Sequence, residues 1–498
     1  MELPFEKTVC RFWKQKLYTL LTREETQELR LPESMPDIGR IISSWGQVIL
    51  RGKDWRGSGA GINGGVMVWV LYAPEDGGDL QRVESWIPFQ VKTEIPEQGS
   101  DGVIRVESFL QGMDARAASS RKLILRAGVG LLTQVLCPEE LELYIPGDIP
   151  DDVERNMEER AFQLTREAGE KHFLVEEERS MPAGMPPVEK IIYYRYTPEI
   201  LEQKVLGSKA AFRGTGNLHV LYMDSDGRLS GADFDIPFAQ YLDLEGSYED
   251  NAEISCLLCV TSLELERLEE GGLGMKCGVT AQYLVSAPET IQLMVDCYSP
   301  CRETEPVKQL CAIDDQGAEK TETVTLETVL SGDGNSWADL IFCPKAPQVV
   351  RRSGASDVEI SGVFQGILNS PQGSYTGVQS GDSKNLTLDA AGETVCFQMG
   401  HTPVSCRPEG ASWRTDTKIA LNLSPLRTET MDMVTGLRLG EEKTPDPERP
   451  SVIIRRKGKA GSLWDLAKSC GSTVSAIRKM NHLEEEPDPE KLLMIPVI

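Results

Sequence analysis

Runs of β-branched and aromatic residues, each closed by turn residues, set the pattern of this chain. Val66-Met67-Val68-Trp69-Val70-Leu71-Tyr72 and Asn217-Leu218-His219-Val220-Leu221-Tyr222 have the length and composition of strands. Turn residues follow each run, Pro74-Glu75-Asp76-Gly77-Gly78 and Asp224-Ser225-Asp226-Gly227, where glycine supplies the positive φ of a tight hairpin. A second apolar strand comes next, carrying Ile87-Pro88-Phe89 in one case and Ile236-Pro237-Phe238 in the other. Proline donates no ladder hydrogen bond, so this strand is expected at a sheet edge or a bend. One acidic stretch, Asp151 to Glu170, predicts a helix instead, with Val153, Met157 and Phe162 loosely on one face.

The same segments recur in order. Leu31-Pro32-Glu33-Ser34-Met35-Pro36 through Ile42 is similar to Met181-Pro182-Ala183-Gly184-Met185-Pro186 through Ile192, an offset of 150. Val70-Leu71-Tyr72 and Gly128-Val129 recur at 220 and 278, again 150 on, and Ile87-Pro88-Phe89 recurs at 236, an offset of 149. Residues 1–145 and 146–295 therefore read as duplicated antiparallel, sandwich-like β units. A third, degenerate copy is expected over 296–437. Ala346-Pro347-Gln348-Val349-Val350 aligns with Met185-Pro186-Pro187-Val188, and Gly362-Val363-Phe364-Gln365-Gly366 aligns with the strand around Gly214, at unequal offsets of 161 and 148. Residues 438–450 read as a stiff, acidic, proline-rich linker that isolates 451–498.

That last stretch reads β-α-α-β. Ser451-Val452-Ile453-Ile454 predicts a strand, and Ser462 caps a helix through Cys470 whose buried face is Leu463, Leu466 and Ala467. Gly471 ends this helix. Thr473 caps a second helix with Val474, Ile477 and Met480, and Leu492-Leu493-Met494-Ile495-Pro496 closes as a strand.

Ser462-Leu463-Trp464-Asp465-Leu466-Ala467, Thr473-Val474, Ile477, Met480-Asn481 and Leu493-Met494-Ile495-Pro496 together resemble a LysM module. The resemblance implies a βααβ fold and a groove for N-acetylglucosamine polymers. Where that family has Gly-Asp-Thr this chain has Ala460-Gly461-Ser462, so the aspartate of the groove loop is missing. The duplicated units with their Met-Pro-bearing segments resemble SPOCS domains of clostridial spore-coat proteins. SPOCS-like units, a proline-rich linker and a terminal LysM resemble the SipL-like family of spore coat morphogenetic proteins. That resemblance implies a non-enzymatic scaffold whose LysM docks the ATPase forming the coat's basement layer, with other coat proteins as further partners. It places the chain in the mother-cell cytoplasm, at the forespore surface. The alternative is a protein that holds peptidoglycan or cortex through its LysM.

Six residues of the module are candidates for touching a partner or glycan: Trp464, Lys459, Gly461, Ser462, Asn481 and Arg456. Trp464 either packs between helices and sheet or stands out as an aromatic anchor. Arg456 and Lys459 are solvated charges or partner contacts, and Asn481 is a helix cap or a groove residue.

Charge narrows the classes of partner. Lysines and arginines number 52 against 77 acidic residues, a net charge of −25, which repels nucleic acid and anionic membrane surfaces alike. Arg455, Arg456, Lys457 and Lys459 make a basic tip on this acidic chain, suited to steering encounter with an acidic surface. No apolar run approaches the roughly 20 residues of a membrane span, and Met1-Glu2-Leu3-Pro4-Phe5-Glu6-Lys7 does not begin a secretory signal. The 12 cysteines are scattered, as expected of small buried hydrophobes in a reducing compartment.

Other chemistry is weaker. Gly59-Ala60-Gly61-Ile62-Asn63-Gly64 matches the dinucleotide fingerprint, but a strand rather than a helix follows, so a flexible hairpin loop is expected. Cys256 and Cys259 form a C-x-x-C, with Cys277, Cys297 and Cys301 nearby in sequence as the candidates for completing a zinc site; in a strand, however, i and i+3 face opposite ways, which favours core cysteines. Asp224-Ser225-Asp226-Gly227 begins like a calcium loop but has Asp235 where a glutamate is needed, so it reads as a hairpin turn. No catalytic residue, cofactor or metal is assigned.

Overall fold

In the computed structural model, residues 1, 4, 57–58, 96–101, 146, 148, 270, 333–335, 353–354, 389–392, 445–447 and 457–460 fall outside the described residues, and the rest is mainly antiparallel β. The first stretch contains β1 (Glu2–Leu3), β2 (Glu6–Arg30), β3 (Ile38–Arg56), β4 (Gly59–Pro74), β5 (Gln81–Glu94), β6 (Val103–Ser119) and β7 (Lys122–Ile145). It makes two three-stranded sheets, β2-β7-β6 and β3-β4-β5, which share one apolar core. Pro88 lies on β5, an edge strand, as proline requires.

The second stretch contains β8 (Glu154–Arg179), β9 (Lys190–Met223), β10 (Leu229–Tyr248), β11 (Glu253–Arg267) and β12 (Leu273–Tyr298), paired as β8-β12-β11 and β9-β10. Inside β9, Gly207 takes φ +65°, a left-handed conformation that favours glycine, and only the half beyond it pairs with β10. The two halves of β9 lie against each other: a Cβ at Gly214 would overlap the Glu199 carbonyl oxygen, and one at Gly216 the Tyr196 ring.

The third stretch contains β13 (Arg302–Gln316), β14 (Lys320–Ser331), β15 (Ser336–Pro344), β16 (Gln348–Arg352), β17 (Ala355–Asn369), β18 (Tyr375–Leu388), β19 (Glu393–His401), β20 (Ser405–Glu409) and β21 (Ser412–Glu442). Here β21 runs between β13/β14 and β19/β20, and β17 between β15/β16 and β18. The pairing scheme is that of the first stretch with three strands interrupted. β1 adds to β21 at Leu437 and Arg438, so the start of the chain pairs with the end of the third stretch.

Four expectations change. Asp151 to Glu170 is not a helix: β8 pairs with β12 from Glu154–Tyr298 to Arg179–Leu273, and Phe162 and Leu164 are buried while Met157 is exposed. Continuous pairing with an apolar neighbour outweighs the helical propensity of an acidic run. The Gly59–Gly64 stretch is not a loop but the start of β4, paired on both sides; a Cβ at Gly64 would lie 2.7 Å from the Phe89 ring. Pro347 lies in the break between β15 and β16, whereas Pro186 lies in the β8–β9 connection, so that alignment fails. The boundary at 437 falls inside β21, which continues through Glu442 with Leu437 and Leu439 buried.

Each stretch touches both others. Trp45 stacks on Tyr193 at 5.1 Å between ring centroids, and the same apolar cluster takes in Ile341, Ile367 and Tyr375 of the third stretch. Arg82 donates to the Ile191 carbonyl at 2.7 Å, Arg195 to the Phe342 carbonyl at 2.9 Å, and Gln365 to Ser43 Oγ at 2.9 Å. A second shared cluster gathers Cys10 and Phe12, Phe162 and Leu164, and Cys311 and Ile313. Between the second and third stretches His219, 4% exposed, sits 3.1 Å from Asp233 of β10 and 3.1 Å from Asp339 of β15. Burial opposes its charge, but the two carboxylates outweigh this and push its pKa up to about 9.

Two outcomes follow from this packing. His219 stabilises the fold fully below its ordinary value near 6.5, and that contribution is lost as pH rises through about 9. Unfolding midpoints measured from pH 6 to 10 will fall over this window, and Asp339→Asn will lower stability at pH 7 by about 3 kcal/mol while flattening the dependence. Gly216→Ala, which drives a methyl into a fully buried tyrosine ring, will cost roughly 1–3 kcal/mol in denaturant melts.

Candidate docking site on the C-terminal head

The head is built from β22 (Val452–Arg456), α1 (Leu463–Cys470), α2 (Val474–Asn481) and β23 (Leu492–Pro496), with β22 and β23 paired antiparallel. Its local structure follows from its caps. Ser462 Oγ accepts from the Asp465 amide at 3.1 Å, and Asp465 accepts from the Ser462 amide at 3.1 Å, a capping box. Gly471 closes α1 at φ +62°, and Thr473 Oγ1 accepts from the Ala476 amide at 3.1 Å to start α2. Leu463, Leu466, Ala467, Cys470, Ile477, Leu493 and Ile495 form the core, which also takes in Tyr298 from the end of β12.

Trp464 is the residue most changed by tertiary structure. It is neither part of an isolated core nor a free anchor. Its ring meets Tyr298 edge-on at 4.8 Å, and Nε1 donates to Asp296 Oδ2 at 2.8 Å. Lys468 Nζ donates to the same oxygen at 2.7 Å, and Lys308 lies 3.4 Å from the other. Burial works against the Asp296 charge, but the hydrogen bonds from Lys468 and Trp464 outweigh it and hold the carboxyl below its ordinary value. Tyr298 Oη donates to the Ser472 carbonyl at 2.8 Å. The head is therefore seated on the body, not isolated by its linker.

The other predicted residues are not gathered around Trp464. Asn481 binds β23: its amide nitrogen donates to the Ile477 and Met494 carbonyls at 2.8 and 2.6 Å, and its oxygen accepts from the Met494 amide at 2.8 Å. The C-cap is the next residue, His482, at φ 52°. Arg456 pairs with Glu490 at 3.1 Å, both exposed. Gly461 is half-buried beside the cap, Ser462 is occupied in the cap, and Lys459 lies outside the described residues.

A feature that sequence reading missed is the outer face of the β22–β23 sheet. Val452, Ile454, Leu492 and Met494, with Ile498, are 41% to 63% exposed, while Leu493 and Ile495 face the helices. The signal was present: both strands are apolar on both faces, and helices cover only one. Arg455 and Arg456 flank this face.

Elsewhere, a cavity of about 790 Å³ opens where the three stretches meet. Several of its charged groups are already engaged: Arg195 on the Phe342 carbonyl, His219 between two aspartates, and Glu107 on the Met399 amide at 3.0 Å. Cys256 and Cys259 are buried in different apolar clusters, so they do not converge. Asp224 accepts from the Asp226 and Arg228 amides, both at 2.9 Å, which makes 224–227 a hairpin turn. Among the described residues no group of three or more His, Cys, Asp and Glu side chains is placed to hold a metal. No helix among them is long and apolar enough to cross a membrane.

Residues 187–268 match the family model described as SipL, SPOCS domain. The match supports a SipL-like, sporulation-related and coat-associated protein. It covers β9, β10 and β11, the stretch that contributes Tyr193, Arg195 and His219 to the junction of the body. No curated protein and no solved structure matches the chain.

Asn481→Ala removes two hydrogen bonds that tie α2 to β23 and one within α2, and will destabilise the head by about 1–3 kcal/mol. Amide hydrogen exchange at Met494 will rise in this variant while exchange in β4 and β7 stays unchanged.

Proposed function

We propose that this chain is a non-enzymatic scaffold in endospore coat assembly. Three SPOCS-like sandwich units build its body, and its LysM-like head docks the basement-layer ATPase at the forespore surface, on the mother-cell side. The match of 187–268 to the SipL SPOCS model supports the setting, and the sheet β2-β7-β6, which recurs as β8-β12-β11 and as β13/β14-β21-β19/β20, supports the units.

The observation that carries the docking role is the exposed face of Val452, Ile454, Leu492, Met494 and Ile498. Four large apolar side chains exposed on one small sheet, with Ile498 just beyond its end, form the kind of patch that marks a protein–protein contact. Arg455 and Arg456 beside it favour a partner with an acidic surface and speed encounter more than they add affinity. A sugar polymer is a poorer fit, because glycan recognition relies on polar groups converging on a groove, and Asn481 and Ser462 are spent on internal hydrogen bonds.

The test uses the full chain against the ATPase of the same organism and, separately, insoluble peptidoglycan. Ile454→Asp and Met494→Asp will each weaken ATPase binding at least about tenfold, since each buries a charge at the contact, with little change in unfolding midpoint. Binding to peptidoglycan alone, unaffected by either substitution, sinks this reading.

A further inference from the structure

We propose that the head is held by a releasable latch on the second stretch, which fixes the direction of its exposed sheet face relative to the body. The latch itself stands on geometry alone; only the use of that face rests on the docking role above.

Asp296 and Tyr298 are two residues apart on β12 and so project from one face of the strand. Asp296 receives the Trp464 indole N–H and the Lys468 ammonium, both from α1 and one turn apart on that helix. Tyr298 meets the Trp464 ring and donates to the Ser472 carbonyl in the turn between the helices. Lys308, from β13, faces Asp296 from the body side.

The tether is pinned at both ends. The Lys443 amide donates to the Cys301 carbonyl at 2.8 Å and its Nζ to the Ser299 carbonyl at 3.0 Å, while Arg449 donates to the Cys470 carbonyl at 2.9 Å. The first two bonds fasten the tether to the body and the third fastens it to the head.

This contact has the character of a latch rather than of a core. One carboxylate, one indole, one ammonium and one phenol carry it, whereas seven other residues of the head's core belong to the head itself. Carried by so few side chains, a contact of this kind opens at a free energy well below that of global unfolding. Because α1 bears the latch and the sheet turns its inner face to the helices, the five apolar side chains stay exposed while the latch is closed. Opening it removes the contact that sets the direction of the head relative to the body.

Limited trypsin cleavage after Lys443 in the full chain reads the latch directly. Asp296→Ala, Lys468→Ala and Trp464→Phe, which keeps the ring and loses the N–H, will each release the head at least about tenfold faster than the unsubstituted chain. Asp296 lies near the body's core, so unfolding midpoints are recorded alongside; Lys468 and Trp464 lie on the head and keep the test decisive if Asp296→Ala does not fold. Cleavage at the unsubstituted rate in folded Lys468→Ala and Trp464→Phe overturns the latch. The readout needs no partner, so a failure of ATPase binding leaves this result standing.

Discussion

Central strands with two apolar faces are the constraint on which the body depends. On β4, Val66, Val68, Val70 and Tyr72 enter the core of the first stretch, while Trp69 and Leu71, on the opposite face, enter the cluster shared with the second and third. A single pair of sheets covers only one of these faces. The other would stand in water at roughly 2 kcal/mol for each large side chain. Trp45 and Trp69 meet this demand by packing against Tyr193 and Tyr194, in stacked and edge-on geometries that add to the burial. The three stretches thus hold one another in place, and β1 closes the arrangement by joining β21.

Apolar burial does not by itself choose how the stretches are oriented; buried polar groups do. Gln282 of β12 is fully buried and makes a pair of 2.8 Å hydrogen bonds with the backbone N–H and carbonyl of Val106, as a neighbouring strand would. Lys53 reaches the same glutamine and the Ile104 carbonyl, both at 2.6 Å, and also pairs with Glu170. A sideways shift of one stretch would strand these donors without water, which costs more than the bonds contribute when made. His219 between Asp233 and Asp339 is the ionic form of the same device.

The head shows the opposite balance. A piece of 48 residues has little core to spare. It completes its core by borrowing Tyr298, and it satisfies the Trp464 N–H with a carboxylate from the body. Position and stability of the head are therefore linked, while its remaining apolar sheet face stays open. Under the proposed docking role, that division lets the body set direction while the head presents the contact surface.

Much of this was legible residue by residue. The strand runs, the 224–227 turn, the edge position of Pro88, the caps at Ser462 and Thr473 and the stop at Gly471 all rest on interactions within about four residues, or on a period, and both are written in the order of the chain. Even the His219–Asp233 pair follows by counting outward from that turn. Asp339, which completes the site from another stretch, does not, and neither does the contact of Trp464 with Asp296, 168 positions away. The run from 151 to 170 was misread for the same reason, because its partner β12 begins about 100 residues later. Periodicity states which side chains must leave water. Only the tertiary structure decided which surface covers them: at Trp464 a neighbouring strand did so, and at Ile454 and Met494 nothing in the described chain does.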